Sequence, residues 1–125
     1  MQILITKAVD TTAVFPKVVE GDDILKYVFP TKQKDVQKAI VLAKEDLRIR
    51  RLIVFGSAIT IKCGMISDID FAIDADITED EFFEIARKFY STITSEIHLI
   101  HYNQIKNSLL KHEIDTKGRE FYVRD

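Results

Sequence analysis

The stretch RLIVFGSAITIKCGMISDIDFAID, residues 51–74, predicts two strands joined by a turn and a loop. Residues 52–55 are a short apolar run that stops at Gly56, a pattern typical of a buried strand. Residues 68–74 alternate between apolar and mostly acidic side chains, so this strand should have one apolar and one largely acidic face. The sequence therefore predicts a strand–turn–strand unit in the middle of the chain.

Asp68 and Asp70 are two residues apart, and on a strand this spacing places both carboxylates on the same face. Two carboxylates this close repel one another, and one tends to take up a proton unless a cation lies between them. Carboxylates on a rigid strand suit Mg²⁺, which binds a few of them and completes its shell with substrate phosphates. Asp68 and Asp70 are therefore candidate metal ligands.

The Gly56-Ser57 turn supplies donors of the kind that bind phosphate. Gly56 has no Cβ, so the backbone can approach a phosphate closely. The Ser57 hydroxyl and the neighbouring N–H groups can donate to phosphate oxygens. A metal-bound triphosphate between this turn and the two aspartates is the arrangement that phosphoryl chemistry requires, namely in-line positioning and neutralised charge.

The joint pattern of Gly56-Ser57, ten further residues and then Asp68-Ile69-Asp70 resembles the defining motif of the polymerase-beta-type nucleotidyltransferase superfamily. The match is best with its minimal nucleotidyltransferase branch, which includes antitoxin partners of HEPN-domain toxins. Ser67 and the run Phe71-Ala72-Ile73 also fit the pattern, and the resemblance extends over about residues 36–122. Residues 1–30 lie outside it.

The resemblance implies a fold, an activity and roles for individual residues. It implies a short mixed sheet flanked by helices, and transfer of a nucleoside monophosphate from Mg²⁺-bound triphosphate to a hydroxyl. Gly56 and Ser57 would hold the β- and γ-phosphates, and Asp68 and Asp70 would bind Mg²⁺. Where the family usually has an Arg or a small polar residue soon after Gly-Ser, only Lys62 offers a cation, so it is a candidate nucleotide-binding residue.

The family's third carboxylate is the point of departure. The resemblance implies an Asp on a later strand that completes the metal site and activates the acceptor hydroxyl, but His98 stands there in SEIHLI, residues 95–100. Glu96, two residues earlier on the same predicted face, could reach the metal instead. Alternatively His98 replaces the Asp, as a softer ligand that can act as a base near neutral pH. In a third interpretation neither reaches the site, and the fold survives without full activity.

The remaining elements place this unit in one α/β (α+β) domain of residues 1–125, with residues 1–30 as an extension of unclear role. Thr78 and Glu81 form a capping box that should open a helix bearing Phe82, Ile85, Ala86 and Phe89. The other predicted elements are a strand at 1–9, a short helix after Asp22 or Asp23, a helix at 31–48, a strand at 96–101, a helix from about 103 that ends before Gly118, and a strand at 121–123.

Composition limits the classes of protein that fit. Apolar residues make up 46% of the 125 residues, which favours a folded globular chain over a disordered one. The net charge of −2 gives no support to nucleic-acid binding, and no segment is long and apolar enough to span a membrane. Cys63 is the only cysteine, so no intrachain disulfide can form, and we expect a cytoplasmic protein.

The predicted function is Mg²⁺-dependent transfer of a nucleoside monophosphate, AMP from ATP being the preferred version, to a hydroxyl on a partner protein. A chain this short has little room for its own acceptor pocket, which favours a protein partner or a second copy. The alternative is a catalytically degenerate module that binds a partner or nucleotide without turnover. Asp68, Asp70, Glu96 and His98 are the candidate catalytic residues.

Overall fold

The computed structural model describes residues 13–60, 63 and 68–125. Within them, three α-helices and four strands follow one another along the chain. In chain order these are α1 (Gln33–Glu45), β1 (Arg51–Phe55), β2 (Ile69–Asp74), α2 (Glu79–Thr92), β3 (Ile97–His101), α3 (Ser108–Lys117) and β4 (Arg119–Val123). Short 3-10 turns span Asp23–Tyr27, Pro30–Lys32, Gly56–Ile59 and Tyr102–Gln104.

The four strands form one mixed sheet in the order β3-β2-β1-β4. β1 runs antiparallel to both β2 and β4, whereas β2 and β3 are parallel. The parallel pair is possible because α2 carries the chain back between the two strands. This mixed sheet with helices confirms the predicted fold class.

The two faces of the sheet differ greatly in how much they bury. On one face, the main core joins α1 and α2 to the sheet through large apolar side chains; it includes Val36, Ile40, Leu52, Val54, Phe71, Ile73, Ile85 and Phe89. On the other face, a smaller core holds only Ile53, Phe55, Ala72 and Ile114, with α3 over it. The strand alternation predicted for β2 is confirmed, because Phe71 and Ala72 belong to different cores.

The helix ends follow local signals, with two corrections. The capping box is present: Thr78 Oγ1 accepts from the Glu81 N–H at 3.2 Å, and the Glu81 carboxylate accepts from the Thr78 N–H at 3.0 Å. The helix predicted at 31–48 is shorter, because a 3-10 turn precedes it and the chain is extended at Asp46.

The last helix begins later than predicted. The chain makes a 3-10 turn at Tyr102–Gln104, and Asn107 then caps α3 by accepting from the N–H groups of Leu109 and Leu110. Ile105 therefore precedes the helix and packs beside the smaller core. Gly118 follows the helix end as predicted, and the strand predicted at 121–123 is present as β4.

Two further predictions concern the N-terminal strand and membrane-spanning segments. The strand predicted at residues 1–9 lies outside the described residues. In the described part of the chain, no helix has the length and apolar character needed to cross a bilayer.

Candidate functional site

The site is assembled by the register of three adjacent strands. In the antiparallel pair of β1 and β2, Phe55 lies opposite Asp70, so the Gly56 turn begins beside that carboxylate. In the parallel pair of β2 and β3, Asp70 lies opposite His98. Residues that lie opposite one another in a sheet point to the same face. Gly56, Asp70 and His98 therefore meet at one end of the sheet, on the face that carries α3.

Gly56 is required by both its backbone conformation and its surroundings. Its φ of +76° lies in the left-handed region, which costs little only for glycine. A Cβ placed on Gly56 would overlap the Oδ2 atom of Asp70. The Asp70 carboxylate thus points at the turn, which is the convergence that the sequence predicted for the two halves of the motif.

The turn after Gly56 is held by hydrogen bonds at both sides. The carbonyl of Ser57 accepts from the N–H of Thr60 at 2.9 Å and from its hydroxyl at 3.0 Å. The carbonyl of Ala58 accepts from the N–H of Phe29 at 2.8 Å, which connects the turn to the segment that leads into α1. Ser57 itself is half-buried. The Thr60 and Phe29 contacts were not foreseen, because they depend on tertiary contacts and not on a local pattern.

His98 brings Asp68 and Asp70 together. Its Nδ1 atom lies 3.0 Å from Oδ1 of Asp70, and its Nε2 atom lies 3.2 Å from Oδ2 of Asp68. The side chains are 65% exposed for His98, 36% for Asp68 and 25% for Asp70, so the cluster is open to solvent. The imidazole therefore stands between two carboxylates where an acceptor group or a cation could reach it.

The electrostatics of Asp70 reflect its crowded position. Burial raises the pKa of the Asp70 carboxyl above its ordinary value. The hydrogen bond and charge of His98 oppose this shift, whereas the neighbouring Asp68 adds to it. The pKa remains raised on balance, so ionised Asp70 is held at a cost that a bound cation would relieve.

The other sequence-predicted residues are placed differently. Glu96 is exposed and precedes β3, and its carbonyl oxygen accepts the N–H of Ile69 at 3.1 Å. The strand therefore begins one residue after the predicted start at 96. Lys62, the candidate phosphate cation, lies outside the described residues. The acidic Asp74, at the far end of β2, is engaged elsewhere: it accepts from Arg51 Nε at 2.6 Å.

The carboxylates suit a cation that takes part of its coordination shell from substrate. Within residues 13–60, 63 and 68–125, no group of three or more His, Cys, Asp or Glu side chains is arranged to hold a metal ion. Two carboxylate ligands are, however, the small protein contribution that Mg²⁺ accepts when phosphates and water supply the rest. Asp68 and Asp70 are therefore the residues that could hold such a cation. Burial raises the pKa of Asp70, and a cation beside this carboxylate would favour its ionised form.

Two cavities among the described residues lie away from this cluster. One of about 450 Å³ lies between the end of α3 and β1 and is bordered by Arg51, Ile53 and residues 114–120. Another of about 300 Å³ lies between the start of α2 and the segment before α3, around Phe82, Phe83 and Ile105. Neither is lined by a predicted site residue.

Comparison with known families identifies the fold. The family described as "Polymerase beta, Nucleotidyltransferase" matches residues 37–125. The search of curated proteins gave no match.

Several solved structures share the architecture. A Shewanella oneidensis complex of a tri-AMPylated HEPN toxin with its MNT antitoxin matches with 23% identity and a TM-score of 0.56. That match covers 74% of this chain and 73% of the other. A toxin–antitoxin structure with AMP-PNP matches with 23% identity and a TM-score of 0.59, covering 70% and 73% of the two chains. The MntA-HepT toxin–antitoxin complex matches with 22% identity and a TM-score of 0.55, over 74% and 73%.

At these identities the structural matches show a shared fold. The family match is stronger in kind, because it covers most of the chain, including β1, the Gly-Ser turn and both aspartates. Members of this family generally use a divalent metal, and the match supports nucleotidyltransferase activity in general. The chain belongs to the polymerase-beta nucleotidyltransferase family.

Proposed function

We propose that this protein transfers AMP from Mg²⁺-bound ATP to a hydroxyl group on a partner protein. The observation that carries the proposal is the meeting of Gly56, Asp70 and His98 at one end of the sheet. Transfer needs donors for phosphate and carboxylates for a metal within one nucleotide's length, and the closeness of Gly56, Asp68 and Asp70 supports this assignment of roles.

The residues divide the work of binding and transfer. The Gly56-Ser57 turn would hold the β- and γ-phosphates with backbone N–H groups and the Ser57 hydroxyl. Asp68 and Asp70 would hold Mg²⁺, which neutralises phosphate charge when bound. Lys62 remains our candidate for a further phosphate contact. The acceptor oxygen forms a bond to the α-phosphorus, the bond to the bridging oxygen of the β-phosphate breaks, and pyrophosphate leaves.

The acceptor proton needs a base near the two carboxylates. His98 is our first choice because it lies beside Asp68 and Asp70. Both of its ring nitrogens lie within 3.2 Å of carboxylate oxygens, so it could take the acceptor proton only once the aspartates bind a cation and release one nitrogen. A histidine is able to take a proton near neutral pH. Glu96 is the second choice, since it is exposed one residue before β3.

The acceptor hydroxyl of the proposed reaction lies on a partner protein. The cluster is open to solvent, with the side chain of His98 65% exposed. Related folds occur in toxin–antitoxin complexes, one of them with an AMPylated HEPN toxin and another with AMP-PNP. We infer by analogy an acceptor hydroxyl on a toxin-like partner, and a single cytoplasmic domain of residues 1–125.

A second function is favoured by one observation. The position opposite Asp70 on β3 holds an imidazole and not a carboxylate. If His98 serves only as a counter-ion for the two aspartates, the protein would bind its partner or a nucleotide without turnover.

The test is transfer of label from α-labelled ATP to the co-purified partner in the presence of Mg²⁺. The matched variants are Asp70→Asn in the cluster and Asp76→Asn, the same chemical change at an exposed residue after β2. We expect Asp70→Asn to lower the rate at least about 100-fold, since loss of a metal ligand removes charge stabilisation of several kcal/mol. Asp76→Asn should transfer label at the wild-type rate.

The two functions give different results in this assay. Absence of label transfer by the wild type, with partner binding retained in Asp70→Asn, would support the binding module and reject transfer. Equal loss of transfer in Asp70→Asn and Asp76→Asn would show that the effect is not specific to the cluster.

A further inference from the structure

A buried carboxylate on α1 holds the loop that leads into β3. Asp35, in the first turn of α1, accepts from the N–H of Ser95 at 3.2 Å and also from the Ser95 hydroxyl. It accepts from the hydroxyl of Thr94 at 3.4 Å, and the ammonium group of Lys38 lies 3.8 Å away. The side chain of Asp35 is only 7% exposed. Hydrogen bonds to a charged acceptor are stronger than neutral ones, so this is a firm attachment.

The attachment lies directly beside the first hydrogen bond between β2 and β3. The residue after Ser95 is Glu96, whose carbonyl accepts the N–H of Ile69 at 3.1 Å. From there the parallel register continues as Ile69 opposite Ile97 and Asp70 opposite His98. Ser95 is therefore fixed one residue ahead of the point where β3 joins the sheet.

The register of β3 decides which face of the sheet His98 occupies. A shift of one residue turns every side chain of a strand to the opposite face. His98 would then leave the face of Asp70, and Ile97 or Leu99 would take its place. β3 is an edge strand among the described residues, bonded within the sheet to β2 alone, and Ile97 packs into the main core. The contact of Ser95 with Asp35 of α1 adds a polar constraint to the pairing with β2 and the packing of Ile97.

We propose that Asp35, acting through Ser95, is a positioning residue that holds β3 in the register placing His98 against Asp68 and Asp70. Asp35 is not a catalytic residue, because its hydrogen bonds go to the loop and not to the cluster. The consequence for activity rests on the function proposed above, whereas the consequence for the position of His98 does not.

The experiment compares Asp35→Asn, Ser95→Ala and the double variant in the full chain. Asn keeps the shape of Asp but offers one acceptor oxygen and an NH₂ group that faces existing donors. The control is Asp46→Asn, which removes another carboxylate, at the opposite end of α1. Asp46 accepts from the backbone and guanidinium of Arg48 and makes no contact with β3 in the described structure.

Two readouts report the position of β3 without any turnover. The ring ¹⁵N and ¹³C shifts of His98, assigned by comparison with His98→Gln, report its contacts with the two aspartates. Hydrogen exchange at the Ile69 amide reports the bond to Glu96. We expect altered His98 shifts and roughly tenfold faster Ile69 exchange in Asp35→Asn, beyond the change in global stability. The effects of Asp35→Asn and Ser95→Ala should be non-additive in the double variant.

Activity adds a third readout. We expect Asp35→Asn to lower kcat roughly 10- to 100-fold with KM for ATP changed less than about threefold, because a small displacement of a reacting group costs rate and not nucleotide binding. Asp46→Asn should lower the stability of the protein. It should leave kcat and the His98 shifts unchanged, and Ile69 exchange should change no more than the loss of global stability accounts for.

The failures can be told apart. Unchanged His98 shifts in Asp35→Asn and Ser95→Ala, or an Ile69 exchange rate that changes no more than in Asp46→Asn, would overturn the positioning role. Absence of AMP transfer by the wild type would reject the proposed function alone, and the spectroscopic comparison would still decide the role of Asp35.

Discussion

At the scale of single residues, the cluster depends on the backbone conformation of one glycine. Gly56 adopts φ +76° and lies so close to Asp70 that a Cβ would overlap Oδ2. An isolated Gly-Ser pair in a sequence indicates only a turn. Its close contact with an aspartate fourteen positions later follows from the register of β1 and β2, which brings Phe55 opposite Asp70.

Replacement of Gly56 by Ala tests this contact. We expect Gly56→Ala to lose roughly 1–3 kcal/mol of stability, because the left-handed conformation and the overlap with Asp70 both cost energy. AMP transfer should fall at least about tenfold, since the Asp70 carboxylate has to move. Urea unfolding and the labelled-ATP assay measure the two effects.

Gly21→Ala is the matched control. Gly21 also has a positive φ, +144°, and an added Cβ would meet the flexible side-chain amide of Gln37. This variant should lose stability and keep its transfer rate. Comparable loss of transfer in both glycine variants would mean that the activity follows stability and not the geometry of the cluster.

At the scale of elements, the sequence predicted what local chemistry determines. The capping box of Thr78 and Glu81 requires only residues three positions apart, and it is present. The start of α3 was misplaced, although Asn107 is a good capping residue and offered the local signal. The register of β3 on β2 joins segments separated by α2, so no local pattern could reveal that both His98 nitrogens meet an aspartate.

Interactions between elements also set the response to acid. Asp74 at the end of β2 accepts from Arg51 of β1 at 2.6 Å and from Asn103 of the turn after β3 at 3.0 Å. Burial by itself would raise the pKa of Asp74, but the hydrogen bonds of Arg51 and Asn103 outweigh it and lower the pKa below its ordinary value. As an anion, Asp74 therefore connects β2 to β1 and to the turn after β3.

A lowered pKa in the folded state stabilises the protein above the unfolded pKa, near 4, and this stabilisation is lost as the pH falls through the folded value. We expect Asp74→Asn to unfold about 1–3 kcal/mol more easily at pH 7. The difference from wild type should shrink below about pH 4, because wild-type Asp74 then becomes protonated. Urea titrations between pH 7 and pH 2 measure it, with Asp76→Asn as the exposed control. A difference that stays constant with pH would contradict this role.

At the scale of the whole molecule, the sheet is covered unequally. The face with α1 and α2 holds the large core, and the face with α3 holds four buried apolar residues together with the Asp70 cluster. The face that carries the proposed site is thus the one with the smaller core among the described residues. This arrangement suits the proposed acceptor on another protein, because the side chain of His98 is 65% exposed.

The unequal size of the two cores predicts that α3 unfolds locally while α1, α2 and the sheet stay folded. Ile114 of α3 and Ile85 of α2 are both almost fully buried, at 2% and 1% exposure. Ile→Ala at a buried site costs roughly 2–5 kcal/mol when the whole fold bears the loss. For Ile114→Ala we expect the loss to be limited by the weak attachment of α3, so native-state hydrogen exchange should speed up in α3 and much less in α1 and α2.

Ile85→Ala should instead speed up exchange in all three helices, because the main core connects α1 and α2 to the sheet. Equal effects of Ile114→Ala on all three helices would show that the face bearing Asp70 is held as firmly as the other, and access for a partner would then need a different explanation.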